Sequence, residues 1–230
     1  FYLTQDKEYF KKNLYDYAHT AKISKGIMAV ANGSYMQEFA DYSLQYPIQV
    51  LNYLKLTGDS DTARDLFGVV ECMLKEFAKY EREDGLLDNV NDKPNLVDWP
   101  PNLRDDYDAK VDRTDGVLDC HNVLNAFYIG AHKATEEIAD ILNISRDKHS
   151  NKLTQAYINA FYNKKTKLFS DTEKHSHSSL HSNALPLYFR IATPEMHDSI
   201  KNFIMEKGLC CGVYMSYFVL KGLARIGAYK

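Results

Sequence analysis

Apolar residues recur at three- and four-residue spacing along nearly the whole 230-residue chain, and no stretch alternates convincingly as a strand would. That pattern predicts an all-α fold of eight helices. The first covers about residues 6–22, on a stripe of Phe10, Leu14, Tyr17, Ala18 and Ala21. The second covers about 42–56 and ends at Gly58, which suits the left-handed C-terminal position. A third follows a cap at Ser60 or Asp61 and carries the cleanest stripe, Leu66, Phe67, Val70, Met73, Leu74 and Phe77. The others fall at about 116–142, around 153–161, at 178–191, from Thr193-Pro194-Glu195 to Gly208, and at 213–226.

Connection lengths turn this series into an architecture. The links from helix 2 to 3, 4 to 5 and 6 to 7 are short turns, whereas those from 1 to 2, 3 to 4 and 5 to 6 are long. Alternate connections of antiparallel helices lie at the same end, so one rim is trimmed and the other carries elaborate loops. Helices 2, 4, 6 and 8 are apolar or small on most sides and belong inside; the odd-numbered ones have a single apolar stripe. The expectation is one domain, residues 1–230, forming an (α/α) toroid of helical hairpins with a pocket at the long-loop rim. Four hairpins are few for a closed ring. An open ring leaves apolar flanks on its first and last helices, as part of a larger barrel would.

Composition narrows the function. A formal charge of −3 without any basic stripe argues against nucleic acid or a membrane surface as partner. No apolar run is long enough to span a bilayer. Tyrosine is abundant, 17 against 11 Phe, and its ring with a hydroxyl suits walls facing a hydroxyl-rich ligand as well as ordinary core margins. Cys72, Cys120, Cys210 and Cys211 do not form a disulfide or metal framework and read as free, buried thiols. The chain opens Phe-Tyr-Leu, which reads as the interior of a longer, soluble polypeptide. An extracellular or periplasmic parent is compatible with this, and the compartment stays open.

Between helices 3 and 4 runs a long aperiodic segment, Asp84 to Asp108, with the single tryptophan, Trp99, and seven aspartates. Leu86, Leu87, Val90, Leu96, Val97, Trp99 and Tyr107 call for burial, so an ordered, functional loop is expected. Asp98-Trp99 pairs a carboxylate, an acceptor for sugar hydroxyls, with a ring face for the apolar side of a sugar; a loop-anchoring tryptophan beside a solvated aspartate is the plainer reading. Glu38 and Asp41 precede an inner helix on the same rim, where Asp41 would also serve as an N-cap. Arg104, Asp105, Asp106 and Asp108 read first as local ion pairs and second as an acid/base pair. His175, His177 and His181 complete no established zinc spacing, and His181 with Asn183 at a helix start suits hydroxyl recognition better. No metal or cofactor is expected.

Several pieces in order resemble the inverting α-L-rhamnosidases of glycoside hydrolase family 78. They are Asp41-Tyr-Ser-Leu running to Asn52-Tyr-Leu-Lys-Leu-Thr-Gly-Asp59, then Leu96-Val-Asp-Trp99, His181-Ser-Asn-Ala-Leu185, and the stretch from Gly212 to Gly227. The resemblance implies a six-hairpin α/α barrel, of which this chain would be the middle four hairpins. It also implies a rhamnosyl glycoside as substrate, with Asp41, Asp98, Trp99, His181, Glu38, Arg104 and Asn183 as binding candidates. Its acid motif is expected before Phe1 and its glutamate base after Gly227, so the rest of the parent polypeptide would complete the site. The sequence departs from the family where Pro100-Pro101 follow Trp99 in place of Gly, and where Gln45-Tyr46 replaces an aromatic pair. Another six-hairpin glycosidase, a polysaccharide lyase, or a noncatalytic carbohydrate-binding or scaffold domain stays open beside this reading.

Overall fold

The computed structural model describes residues 5–20, 22–24, 27–28, 39–107 and 119–229. Nine helices are described: α1 Lys7–Thr20, α2 Ala40–Ser43, α3 Tyr46–Thr57, α4 Ser60–Phe77, α5 Asn122–Leu142, α6 Ser150–Phe161, α7 Leu180–Tyr188, α8 His197–Lys207 and α9 Val213–Arg225. Glu38, Asp108 and the expected start of the fourth helix at Gly116 lie outside the described residues.

Local chemistry explains where these helices differ from the periodicity. The expected second helix is two, α2 and α3, because Pro47 has no N–H to give the Ser43 carbonyl and the hydrogen-bond ladder restarts at Gln45. Gly58 then closes α3 at φ 70°, its N–H on the Leu54 carbonyl at 2.8 Å. The cap of α4 is Asp59, one residue before Ser60 and two before Asp61, the expected candidates. Its Oδ1 accepts the Thr62 N–H at 3.0 Å, and Oδ2 accepts the Tyr53 hydroxyl at 2.8 Å. Pro194 leads a 3-10 turn, Pro194–Met196, and α8 proper begins after it.

Two small antiparallel hairpins correct the expectation of no strands. β1 (Lys22–Ser24) pairs with β2 (Ile27–Met28), and β3 (Tyr162–Asn163) pairs with β4 (Leu168–Phe169), with Tyr162 opposite Phe169. At two or three residues each, they are too short for alternation to repeat.

The inner helices succeed one another: α3 packs on α5, α5 on α7, and α7 on α9, while α1, α4, α6 and α8 lie outside them. Burial follows this order. On α4 one stripe is buried, including Leu66, Val70, Met73 and Phe77. Every residue of α7 is buried, and along α5 from Asn122 to Glu136 only Lys133 is not. Pro186 inside α7 leaves the Ser182 carbonyl without its helical partner, and Asn122 Nδ2 supplies one at 3.3 Å. Gly130 lets the Phe189 ring lie against α5, since a Cβ there would sit 2.2 Å from that ring. At the two flanks, Tyr9 on α1 and Val213, Tyr217 and Leu220 on α9 remain exposed. The four cysteines are free, but only Cys120 is buried as expected: Cys72 is exposed, and Cys210 and Cys211 are half-buried.

Candidate functional site

The long connection from α4 to α5 is ordered by its own polar groups over the described part. Asp84 Oδ1 accepts from the Leu86 N–H at 3.0 Å and from Arg82 Nε at 2.9 Å, while Arg82 makes a two-pronged contact with Glu173 at 2.6 Å per prong. Asn125 on α5 holds the Leu87 backbone from both sides, accepting its N–H at 2.7 Å and donating to its carbonyl at 3.0 Å. Leu86, Leu87, Val90, Val97 and Tyr107 are buried, as their apolar character requires, whereas Leu96 is only half-buried and Trp99, expected inside, is exposed.

The same loop satisfies free N–H groups at three inner-helix N-termini. The Tyr107 hydroxyl accepts from Val123 of α5 at 2.9 Å, Asp105 Oδ2 from Leu180 of α7 at 2.6 Å, and Asp98 Oδ2 from Gly212 before α9 at 2.6 Å. A helix start leaves such donors unpaired and partially positive, so carboxylates and hydroxyls are favoured there. The long-loop rim and the N-termini therefore coincide.

Asp41 and Asp98 hold the middle of this arrangement. Asp41, in the first turn of α2, accepts from the Leu96 and Val97 N–H groups at 3.1 and 2.8 Å. Complete burial raises its carboxyl above the ordinary aspartate range, and those backbone donors oppose the rise. Asp98 Oδ1 accepts the Trp99 N–H at 2.8 Å, and its Oδ2 lies 2.9 Å from His181 Nε2. Arg104 Nε donates to the Asp98 carbonyl at 2.9 Å. Gly212 is required at this point, because a Cβ would fall 2.3 Å from the Trp99 carbonyl oxygen.

The rim thus brings Asp41, Asp98, Trp99, Arg104 and His181 into one hydrogen-bonded group, while Asn183, two residues after His181, lies on another side of α7. Their exposure separates them. Asp41, Asp98, His181 and Asn183 are all 0% exposed, whereas Trp99 is 54% exposed. Asn183 is engaged wholly with backbone: it accepts from the Phe169 N–H and donates to the Phe169 and Ser179 carbonyls, pinning β4 to α7. In this structure the four buried side chains face protein, so the residues on the solvent side are Trp99 and, half-buried, Arg104. Asp105 is committed to Lys207 at 2.6 Å and to Leu180, which is the ion-pair alternative.

Three contributors lay outside the sequence-based candidates. Asp171, fully buried, accepts from the Ser179 N–H at 2.9 Å and the Ser182 hydroxyl at 2.5 Å, and pairs with His177 at 2.6 Å. His121, in the N-cap position of α5, faces the Tyr107 hydroxyl through Nδ1 at 3.0 Å, and burial lowers its pKa to about 4. Tyr107 was expected to be buried but not to cap a helix. The one sequence signal for Asp171 is its place in the long connection between α6 and α7. With His177 on Asp171 and His181 on Asp98, the three histidines separate. Among the described residues no group of three or more His, Cys, Asp or Glu is placed to hold a metal ion.

A groove of about 370 Å³ runs between α3 and α9, lined by the amides of Gln45, Gln49 and Asn52 and by Tyr188, Tyr214 and Tyr217. Gln45 Nε2 donates to the Tyr214 hydroxyl at 2.5 Å. Burial first, then the nearby charge of Asp41, push that hydroxyl well above the ordinary tyrosine range. Gly212, two residues before Tyr214, donates its N–H to Asp98, so the groove adjoins the rim group. On the outer side of the rim a second cleft, about 550 Å³, lies between Arg82 and α6.

The family model of the bacterial alpha-L-rhamnosidase six-hairpin glycosidase domain matches residues 1–209. No curated protein matches the chain. Among solved structures, a rhamnosidase from Klebsiella oxytoca with rhamnose bound superposes at a TM-score of 0.71 with 15% identity, covering 97% of this chain and 43% of that one. A family 78 rhamnosidase of Bacillus sp. GL1 gives 0.75 and 15%, covering 97% and 24%. The Streptomyces avermitilis alpha-L-rhamnosidase complexed with L-rhamnose gives 0.67 and 15%, covering 94% and 20%. At such identities the likeness shows a shared fold, and this chain spans less than half the length of each of the three.

Proposed function

Because the chain belongs to the bacterial alpha-L-rhamnosidase six-hairpin glycosidase domain family, we propose that it is the sugar-recognising part of a glycoside hydrolase that releases terminal α-L-rhamnose from glycosides. The observation that carries this reading is the convergence of Asp41, Asp98-Trp99 and His181 at the rim where inner-helix N-termini gather. Trp99 offers a ring face to the apolar side of a pyranose, and Arg104 beside it offers guanidinium donors to hydroxyls. The groove of amides and phenols below provides further hydroxyl partners, at a volume in the range of small-ligand sites. Asp41, Asp98, His181 and Asn183 serve this surface from behind.

The chemistry in this reading is inversion: one carboxylic acid protonates the leaving oxygen while a second carboxylate activates water on the opposite face of the ring. The rim carboxylates Asp41, Asp98, Asp105 and Asp171 already accept hydrogen bonds from this chain's own donors, an arrangement that holds structure and does not exchange protons with a substrate. The acid and base therefore belong, in this proposal, to further hairpins of a longer polypeptide, which would also cover Val213, Tyr217 and Leu220 on α9.

Hydrolysis of an aryl α-L-rhamnoside tests the assignment. The 230-residue chain alone should give no turnover, and a polypeptide extended at both ends should release rhamnose with inverted anomeric configuration. Turnover by the chain alone would overturn the placement of acid and base. Release of a different sugar by the extended protein would move the substrate to another six-hairpin glycosidase.

A further inference from the structure

We propose that Asp98 is a positioning residue, the hub of a latch with His181 and Gly212 that sets how Trp99 and Arg104 are presented at the rim; its bearing on substrate rests on the sugar-site reading above. One aspartate joins four partners from three parts of the chain. Its Oδ1 fixes the Trp99 backbone, its Oδ2 is shared by His181 Nε2 of α7 and the Gly212 N–H ahead of α9, and its carbonyl takes Arg104 Nε. Both Asp98 and His181 are closed to solvent, so nothing outside the protein competes for these bonds. Val97, immediately before, has φ 57°, a left-handed backbone that a β-branched residue rarely adopts. Two carboxylates, Asp41 on Val97 and Asp98 on Trp99, grip that turn from either side.

The geometry identifies which atoms matter. His181 contributes an Nε2 donor; glutamine carries an amide nitrogen at nearly the same reach, whereas leucine carries none. Gly212 contributes space, since any Cβ would meet both the Trp99 carbonyl oxygen at 2.3 Å and Asp98 Oδ1 at 2.5 Å. Trp99 itself reports on the latch, because it is the only tryptophan in the chain.

The test is acrylamide quenching of Trp99 fluorescence on the full 230-residue chain, with far-UV circular dichroism alongside. His181→Leu should keep the helical signal and raise the quenching constant, up to about twofold because the residue is already 54% exposed. His181→Gln should return it to the parent value. Gly212→Ala, acting from another element, should match His181→Leu, and it decides the matter by the same assay should the leucine variant lose its helical signal. Unchanged quenching in folded His181→Leu or Gly212→Ala, or a glutamine variant as altered as the leucine one, would overturn the proposal. Failure of the sugar reading looks different: Trp99 would respond to these variants while the parent chain bound no rhamnose.

Discussion

Replacing Asp41 with alanine isolates what one buried carboxylate does for the rim. In the native structure it accepts from the Leu96 and Val97 N–H groups at 3.1 and 2.8 Å, and neither water nor another acceptor reaches its site, since Asp41 is fully buried. A buried donor left unpaired costs about 1–3 kcal/mol. Two of them set the gross loss at about 2–6 kcal/mol, and the left-handed Val97 backbone, worth about 1–2 kcal/mol of strain, loses its restraint as well. Against this stands the relief of removing a buried charge, whose desolvation already raises its pKa. The net expectation is a loss of about 2–4 kcal/mol. Urea unfolding at pH 7, followed at once by Trp99 emission and by helical dichroism, should show the tryptophan signal moving at lower urea than the helices. A loss below about 0.5 kcal/mol, the level of an ordinary surface substitution, would refute the reasoning. The same group sets a pH sign. A raised folded-state carboxyl pKa means that the native protein binds more protons than the unfolded chain, so Asp41 favours the fold at acidic pH and the benefit disappears as pH rises through its folded value.

Three other outcomes follow from the packing and the caps. Asp59→Ala removes the α4 cap and should cost about 0.5–2 kcal/mol in urea unfolding. Its carboxyl is held well below the usual range, first by the Thr62 N–H, so the contribution is present at neutral pH and is lost as pH falls through its folded value. Gly130→Ala would ordinarily stabilise a helix interior, yet the Phe189 ring 2.2 Å from the new Cβ should reverse the sign, to about 1–3 kcal/mol destabilising. His121 and His132 are held neutral by burial, with pKa values near 4 and 3. The unfolded chain takes up their protons first, so stability should decline as pH falls below the ordinary histidine value near 6.5, and His132→Phe should flatten part of that decline in a urea midpoint series.

Helix identity was legible because α4 and α5 repeat their apolar residues through four or more turns, long enough for periodicity to stand out. Boundaries depended on single atoms: the missing N–H of Pro47 split one helix, and the Asp59 carboxylate reached Thr62 from outside the expected start. The β hairpins were invisible because two residues have no period. At the rim, the sequence pointed to the right residue types but not to the side they face. Asp41 and Asp98 find their partners 55 and 114 positions away, at Leu96 and Gly212, and such pairings arise only once the helices have packed. Asp171 shows the same limit from the other direction, an unremarkable loop carboxylate that the fold makes into the anchor of an α7 N-terminus.

Saturation-transfer NMR of L-rhamnose against the 230-residue chain tests the sugar-facing rim most directly. Transfer to the sugar ring protons should be seen with the parent chain and be lost in a folded Trp99→Ala variant. No transfer with the parent, or transfer that survives the loss of Trp99 undiminished, would contradict a rim organised around that ring.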